Sequence, residues 1–84
     1  MQEMIKPLVQ DFHTNEEYDF NNYIEACRWI LKEHQCLKID GTLIDVQTAN
    51  AIITVYDALN EGNQARVLFM PILQFAKFAW KQVK

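Results

Sequence analysis

Glycine and proline are scarce in this sequence, with two of each among 84 residues. Phosphate-binding loops need several glycines so that the backbone can approach the ligand, and the common nucleotide, nucleophile-elbow and H-E-x-x-H motifs are absent. Disordered chains are poor in apolar residues, whereas half of this chain is hydrophobic. These features exclude a nucleotide-binding loop and a disordered tail, and they predict a single folded domain over 1–84.

Side chains that bind soft metals are equally few. His13, Cys27, His34 and Cys36 are the complete set of histidines and cysteines. Zinc sites usually draw their ligands from close pairs such as C-x-x-C, and His34-x-Cys36 is the single close pair here. We therefore predict no metal, no cofactor and two reduced thiols in the core, as is usual for a cytoplasmic protein.

No hydrophobic run is long enough to span a membrane. The richest stretch, VLFMPILQFAKFAW at 67–80, is too short and contains Pro71, Gln74 and Lys77. The first residues lack the basic start and long apolar centre of a signal peptide. We therefore expect a cytoplasmic protein that makes no contact with a membrane.

Acidic residues are absent after Glu61. The first 61 residues contain eleven acidic and four basic residues, a net charge of −7, whereas Arg66, Lys77, Lys81 and Lys84 give the remainder +4. Such asymmetry either pairs the two segments within the fold or attracts an acidic partner, and both explanations stay open.

Hydrophobic residues recur at helical spacing in three segments. The first begins at T-N-E-E (14–17), a capping box with Thr14 as the N-cap, and runs to about His34. Asp45 is the predicted N-cap of a second helix over 46–59, and Pro71 suits the first turn of a third. The predicted buried faces are Phe20, Tyr23, Ile24, Cys27, Ile30 and Leu31; then Val46, Ala49, Ile52, Ile53, Tyr56 and Leu59; then Ile72, Phe75, Ala76, Ala79 and Val83.

Two shorter helical segments complete the pattern, one following Pro7 and one through Ala65 and Leu68. The segment 37–44 forms either a minimal β-hairpin or a loop, because Asp40-Gly41 suits a type I′ turn. Together these patterns predict an all-α fold, a small helical bundle of three main helices with one or two short ones.

KIDGTLID at 38–45 resembles the opening motif of the haloacid dehalogenase-like phosphohydrolases, in which D-x-D-G-T-L delivers an aspartate nucleophile. Lys38 occupies the nucleophile position here, and lysine cannot form an aspartyl-phosphate. Too few residues follow Asp45 for the rest of that α/β domain. We therefore assign turn and capping roles to Asp40-Gly41 and Asp45, and we predict no catalytic residue, no small-molecule substrate and no enzyme activity.

Four aromatic residues lie off or at the edge of the helical stripes, namely Trp29, Phe69, Phe78 and Trp80. Large aromatics near a surface are typical interface anchors, although in a small domain they could instead widen the core. We predict a protein-binding module that uses these residues and self-associates as a homodimer or larger homo-oligomer.

A nucleic-acid-associated regulatory domain is the alternative function. Arg66, Lys77, Lys81 and Lys84 would form its basic stripe, and the helix 46–59 followed by a turn and a second helix imitates a helix-turn-helix. The acidic overall charge and the small number of cations disfavour this alternative.

The segment TANAIITVYDALNEGNQARVLFMPILQFAKFAWK (48–81) resembles small helical proteins encoded by bacteriophages and prophages. The shared features are a helix, an N-x-x-N break, an M-P restart and an A-W-K close. This resemblance implies an accessory protein of a mobile element that modulates a host or phage protein complex.

Overall fold

The computed structural model describes residues 6–82. Within this range the elements are β1 (Val9–Asp11), β2 (Glu17–Tyr18), α1 (Tyr23–Glu33), β3 (Leu37–Ile39), β4 (Thr42–Ile44), α2 (Val46–Ala58), α3 (Glu61–Val67) and α4 (Ile72–Gln82). The strands form one antiparallel sheet in the order β2-β1-β3-β4. The prediction of an all-α helical bundle is therefore wrong, because the fold combines helices with a four-stranded sheet.

The error lies mainly in residues 7–22, where the sequence patterns predict helix. Thr14 does not cap a helix; its backbone N–H and that of His13 both donate to the Asp11 carboxylate at 2.8 Å. Asn15 adopts a positive φ of 62°, which closes the loop so that Val9 pairs with Tyr18. Strands of two or three residues are too short to show the alternation that identifies a strand in a sequence.

Helix α1 begins later than predicted, with Asn22 rather than Thr14 as its N-cap. The Asn22 side chain accepts a hydrogen bond from the Glu25 N–H at 3.0 Å, and the Glu25 carboxylate accepts one from the Asn21 N–H at 3.1 Å. At the other end, His34 is left-handed and its N–H bonds to the Ile30 carbonyl, so the predicted end near His34 is confirmed.

The hairpin at 37–44 is present, and Asp40-Gly41 forms its turn. Their φ angles of 51° and 80° are those of a type I′ turn. The Asp40 carboxylate also accepts a hydrogen bond from the Leu8 N–H at 2.9 Å, which ties the start of β1 to this turn. Asp45 caps α2 by accepting from the Thr48 N–H at 2.7 Å. The structural roles assigned to the DGTLID segment are confirmed.

The core lies between one face of the sheet and the helices. Its largest fully buried side chains are Val9, Leu37, Ile39 and Ile44 from the sheet, Cys27 and Ile30 from α1, Ile52 from α2 and Phe75 from α4. Because α2 packs against both α1 and α4, Ala51 and Val55 are buried in addition to the predicted stripe. The predicted core residue Val83 lies outside the described residues.

No helix in residues 6–82 combines the length and the hydrophobicity that crossing a lipid bilayer requires.

Candidate protein-interaction surface

Helix α4 has a buried face that fixes the direction of its other side chains. Ile72, Phe75, Ala76 and Ala79 are buried, as predicted from their spacing. Phe75 packs against Tyr23 of α1 with ring centroids 6.3 Å apart. The remaining α4 side chains consequently point away from the core.

The exposed side of α4 has an apolar flank on each side of a cationic ridge. At about 100° per residue, Leu73 and Trp80 share one flank and Lys77 and Lys81 follow along the ridge. Phe78 lies on the other flank, where its ring stacks on Phe75 at 6.1 Å. The helix therefore presents large apolar groups and ammonium groups together.

The turn before α4 adds Phe69 to this surface. Asn60 caps α3 by accepting from the Asn63 N–H at 2.9 Å, and α3 ends at Val67. The N–H of Phe69 then donates to the Arg66 carbonyl at 3.1 Å, which holds the backbone while the side chain remains exposed. We call Phe69, Leu73, Lys77, Phe78, Trp80 and Lys81 the α4 surface.

The four large hydrophobic side chains of the α4 surface are between 41 and 57 % exposed. Trp80 also borders an open groove of about 300 Å³ between α2 and α4, which is lined in addition by Gln47, Asn50 and Ala51. An indole beside two amides offers both apolar contact area and hydrogen-bonding groups. This groove is a suitable place for a partner side chain to insert.

Both charged side chains of the α4 surface, Lys77 and Lys81, are positive. Arg66, Lys77 and Lys81 are exposed, and the chain has no acidic residue after Glu61. Of the basic residues proposed for nucleic acid, Lys84 lies outside the described range. Helix α3, the second helix of the imitated helix-turn-helix, has seven residues and so spans only about 10 Å.

Trp29 lies in a different part of the molecule from the other predicted interface residues. It is half-buried on α1 and packs against Tyr18 and Phe20, with ring centroids 5.3 and 6.4 Å away. These contacts attach the N-terminal hairpin to α1. The structure therefore places Phe69 in the turn before α4 and puts Phe78 and Trp80 on opposite flanks of that helix. Trp29 belongs to an aromatic cluster within the fold.

Leu73 is the member of the α4 surface that the sequence reasoning missed. Its position seven residues before Trp80 places both on the same flank, so heptad spacing from a suspected anchor would have identified it. Three further exposed hydrophobic residues, Leu8, Phe12 and Leu43, belong to the sheet and its margins. No helical spacing could reveal them.

The two cysteines are both free and differ in burial. Cys27 is free and buried, and burial raises its pKa to about 12, so it is protonated and unreactive at neutral pH. Cys36 is free and half-buried. Over the described part of the chain, histidine, cysteine and acidic side chains form no group of three that could hold a metal ion.

Tyr23 joins the start of α1 to the end of α3. Its hydroxyl donates a hydrogen bond to the Val67 carbonyl, and burial raises the pKa of the phenol. This long-range bond fixes the segment that leads into Phe69 and α4. Tyr23 is therefore a support for the α4 surface rather than a part of it.

Comparison with known proteins gives no relative from which a function could be transferred. No family model matches the sequence, and neither the curated proteins nor the solved structures contain a significant match.

Proposed function

We propose that this protein is a non-catalytic protein-binding module whose α4 surface recognises an acidic protein partner. The observation that supports this is the composition of the exposed side of α4, on which large hydrophobic side chains flank a ridge of lysines. A few clustered side chains, among which tryptophan is enriched, supply most of the energy of protein interfaces. Surrounding charges select the partner and speed its association.

The charge of the surface defines the partner. Lys77 and Lys81 have no acidic neighbour on α4, so a facing protein must provide carboxylates beside an apolar patch. Two copies of α4 facing each other would bring four lysines together, and like charges across an interface are unfavourable. The α4 surface is therefore suited to a foreign protein rather than to a second copy.

A nucleic-acid partner is the weaker alternative. Phosphate binding usually uses several cations along one surface, and α4 provides two lysines between exposed hydrophobic groups. Hydrophobic flanks of this kind contribute little to duplex binding. The basic residues are better explained as charges that surround an apolar contact.

The biological setting is part of the proposal. Two free cysteines support a cytosolic site of action. The resemblance of 48–81 to phage and prophage proteins supports a role as an accessory protein that modulates a host or phage protein complex.

Site-specific photo-crosslinking in cells tests the proposal. A benzophenone amino acid replaces Phe78, and in a control it replaces Thr54 on the exposed face of α2. We expect a protein that crosslinks at position 78 and not at position 54. The captured protein is then purified, and its affinity for the unmodified chain is measured by calorimetry.

The affinity of the purified pair distinguishes the possible outcomes. We expect Trp80→Ala and Lys77→Glu/Lys81→Glu each to weaken binding by roughly tenfold or more, about 1.4 kcal/mol, while Lys32→Glu on α1 leaves it unchanged. Equal affinity for all variants would refute the proposal. Salt-dependent binding to duplex DNA that Lys77→Glu/Lys81→Glu abolishes and Trp80→Ala leaves intact would establish the nucleic-acid alternative.

A further inference from the structure

The sheet has an outer face that none of the helices in the described residues 6–82 covers. Residues directly opposite each other in the ladder share a face, so Glu17, Gln10, Lys38 and Leu43 form one row across the four strands. Val9 and Asp11 are buried on the helical side, and the exposed residues Leu8 and Phe12 directly precede and follow β1. We call these six residues the outer sheet face.

Its composition is unusual for a solvated surface. Leu8, Phe12 and Leu43 are between 41 and 48 % exposed. An antiparallel sheet commonly faces water on one side, but that side is then largely polar. Exposed apolar groups gathered on one face indicate a contact surface.

Glu17 and Lys38 do not form an ion pair with each other. They lie one strand to either side of Gln10, so their strands are about 9–10 Å apart. Within the described residues, the ion pairs are Lys6 with Asp19 and Arg28 with Asp57. The outer sheet face thus has one positive and one negative group that the single chain leaves unpaired with each other.

The register makes this face complementary to itself. A two-fold axis parallel to β1, passing midway between two stacked sheets above Gln10, exchanges the positions of the neighbouring strands. Lys38 then lies over Glu17 of the second copy, and Glu17 over its Lys38. Leu8 meets its own counterpart, as an isologous contact requires, whereas Leu43 on β4 lies beyond the edge strand β2 of the second copy.

We propose that the outer sheet face binds a second copy of this chain, sheet against sheet, with Lys38 and Glu17 forming two reciprocal ion pairs. The α4 surface remains free in this dimer for the foreign partner proposed above. Neither proposal depends on the other, because they use residues of different elements.

The size of the face defines the strength expected. Four strands of this length cover on the order of 300–400 Å² per copy, well below the roughly 800 Å² of a standard interface. We therefore expect a reversible dimer with a Kd in the range of about 10–500 μM, which forms at high local concentration.

Sedimentation equilibrium on single charge reversals tests the pairing. Lys38→Glu makes both charges of the face negative, and Glu17→Lys makes both positive. Each variant is expected to remain monomeric at a concentration where the wild type is half dimeric. An equimolar mixture of the two should dimerise again, because both reciprocal pairs are then attractive, and the double variant Glu17→Lys/Lys38→Glu should dimerise like the wild type.

Adjacent residues at the end of α1 supply matched controls. Lys32→Glu and Glu33→Lys cause the same changes in net charge at exposed positions away from the sheet, and they should dimerise as the wild type does. Circular dichroism checks that each variant is folded. If a single variant does not fold, the double variant, which restores one positive and one negative charge, still tests the pairing. A wild type that stays monomeric at 1 mM, or a mixture that does not dimerise, would overturn the proposal.

Discussion

Asp11 determines the conformation of the N-terminal hairpin. Hydrogen bonds from the Thr14 and His13 backbone hold the pKa of its carboxyl below the ordinary value of 3.8. Because the folded pKa is the lower one, the charged carboxylate stabilises the fold above pH 3.8, and this stabilisation is lost as the pH falls through the folded pKa. We predict that Asp11→Asn lowers the Tm at pH 7 and that its difference from the wild type shrinks below pH 3.8.

Thermal melts followed by circular dichroism between pH 3 and 7 check the Asp11 prediction. Glu33→Gln at the exposed end of α1 is the control and should show no comparable pH-dependent difference. A Tm difference for Asp11→Asn that is constant over this range would contradict the proposed role of the charge.

Substituting alanine for each of the two glycines should change the free energy of unfolding in opposite directions. Gly41 has a φ of 80° in the hairpin turn, and an added Cβ would meet nothing within 4 Å, so Gly41→Ala should lower the free energy of unfolding by about 1 kcal/mol through backbone strain. Gly62 lies inside α3, where alanine is preferred, so Gly62→Ala should raise it by about 0.5–1 kcal/mol. Urea unfolding measures both, and changes of equal sign would contradict the turn assignment.

At the scale of a secondary-structure element, α4 has one side that packs in the core and another that is exposed to solvent. Phe75 is fully buried, whereas Phe78 is about two-fifths exposed and stacks on it. We expect Phe75→Ala to lower the free energy of unfolding by about 3–5 kcal/mol and Phe78→Ala by about 1 kcal/mol or less. Urea unfolding checks both values, and equal losses would show that Phe78 belongs to the core.

At the scale of the whole molecule, the reaction rates of the two thiols measure how far the fold must open to expose each of them. Cys27 is fully buried with a pKa raised to about 12, whereas Cys36 is half-buried. We predict that a disulfide reagent at pH 8 modifies Cys36 first, and that Cys27 reacts only as fast as the fold opens. The variant Cys36→Ala isolates the slow reaction, which urea should accelerate. Rapid modification of Cys27 in the native variant would contradict a closed core.

Local signals explain which elements could be predicted. The Asp45 cap, the Asp40-Gly41 turn, the Asn60 break and the apolar face of α4 each depend on residues within a few positions of one another, and all are confirmed. The N-terminal hairpin could not be predicted in this way. Its β1 strand pairs Val9 with Ile39, far along the chain, and Thr14-x-x-Glu17 imitates a helix cap.

For the candidate surfaces too, some features follow from local sequence signals and others only from the tertiary structure. By itself the sequence determined α2, α4, the Asp45 cap and the basic end of the chain, because periodicity and short-range hydrogen bonding act between near neighbours. Only the tertiary structure decided that residues 9–18 form two strands, that Trp29 packs within the fold, and that Glu17 and Lys38 share one sheet face. Those relations arise from pairing between distant strands and from helix packing, which no local pattern encodes.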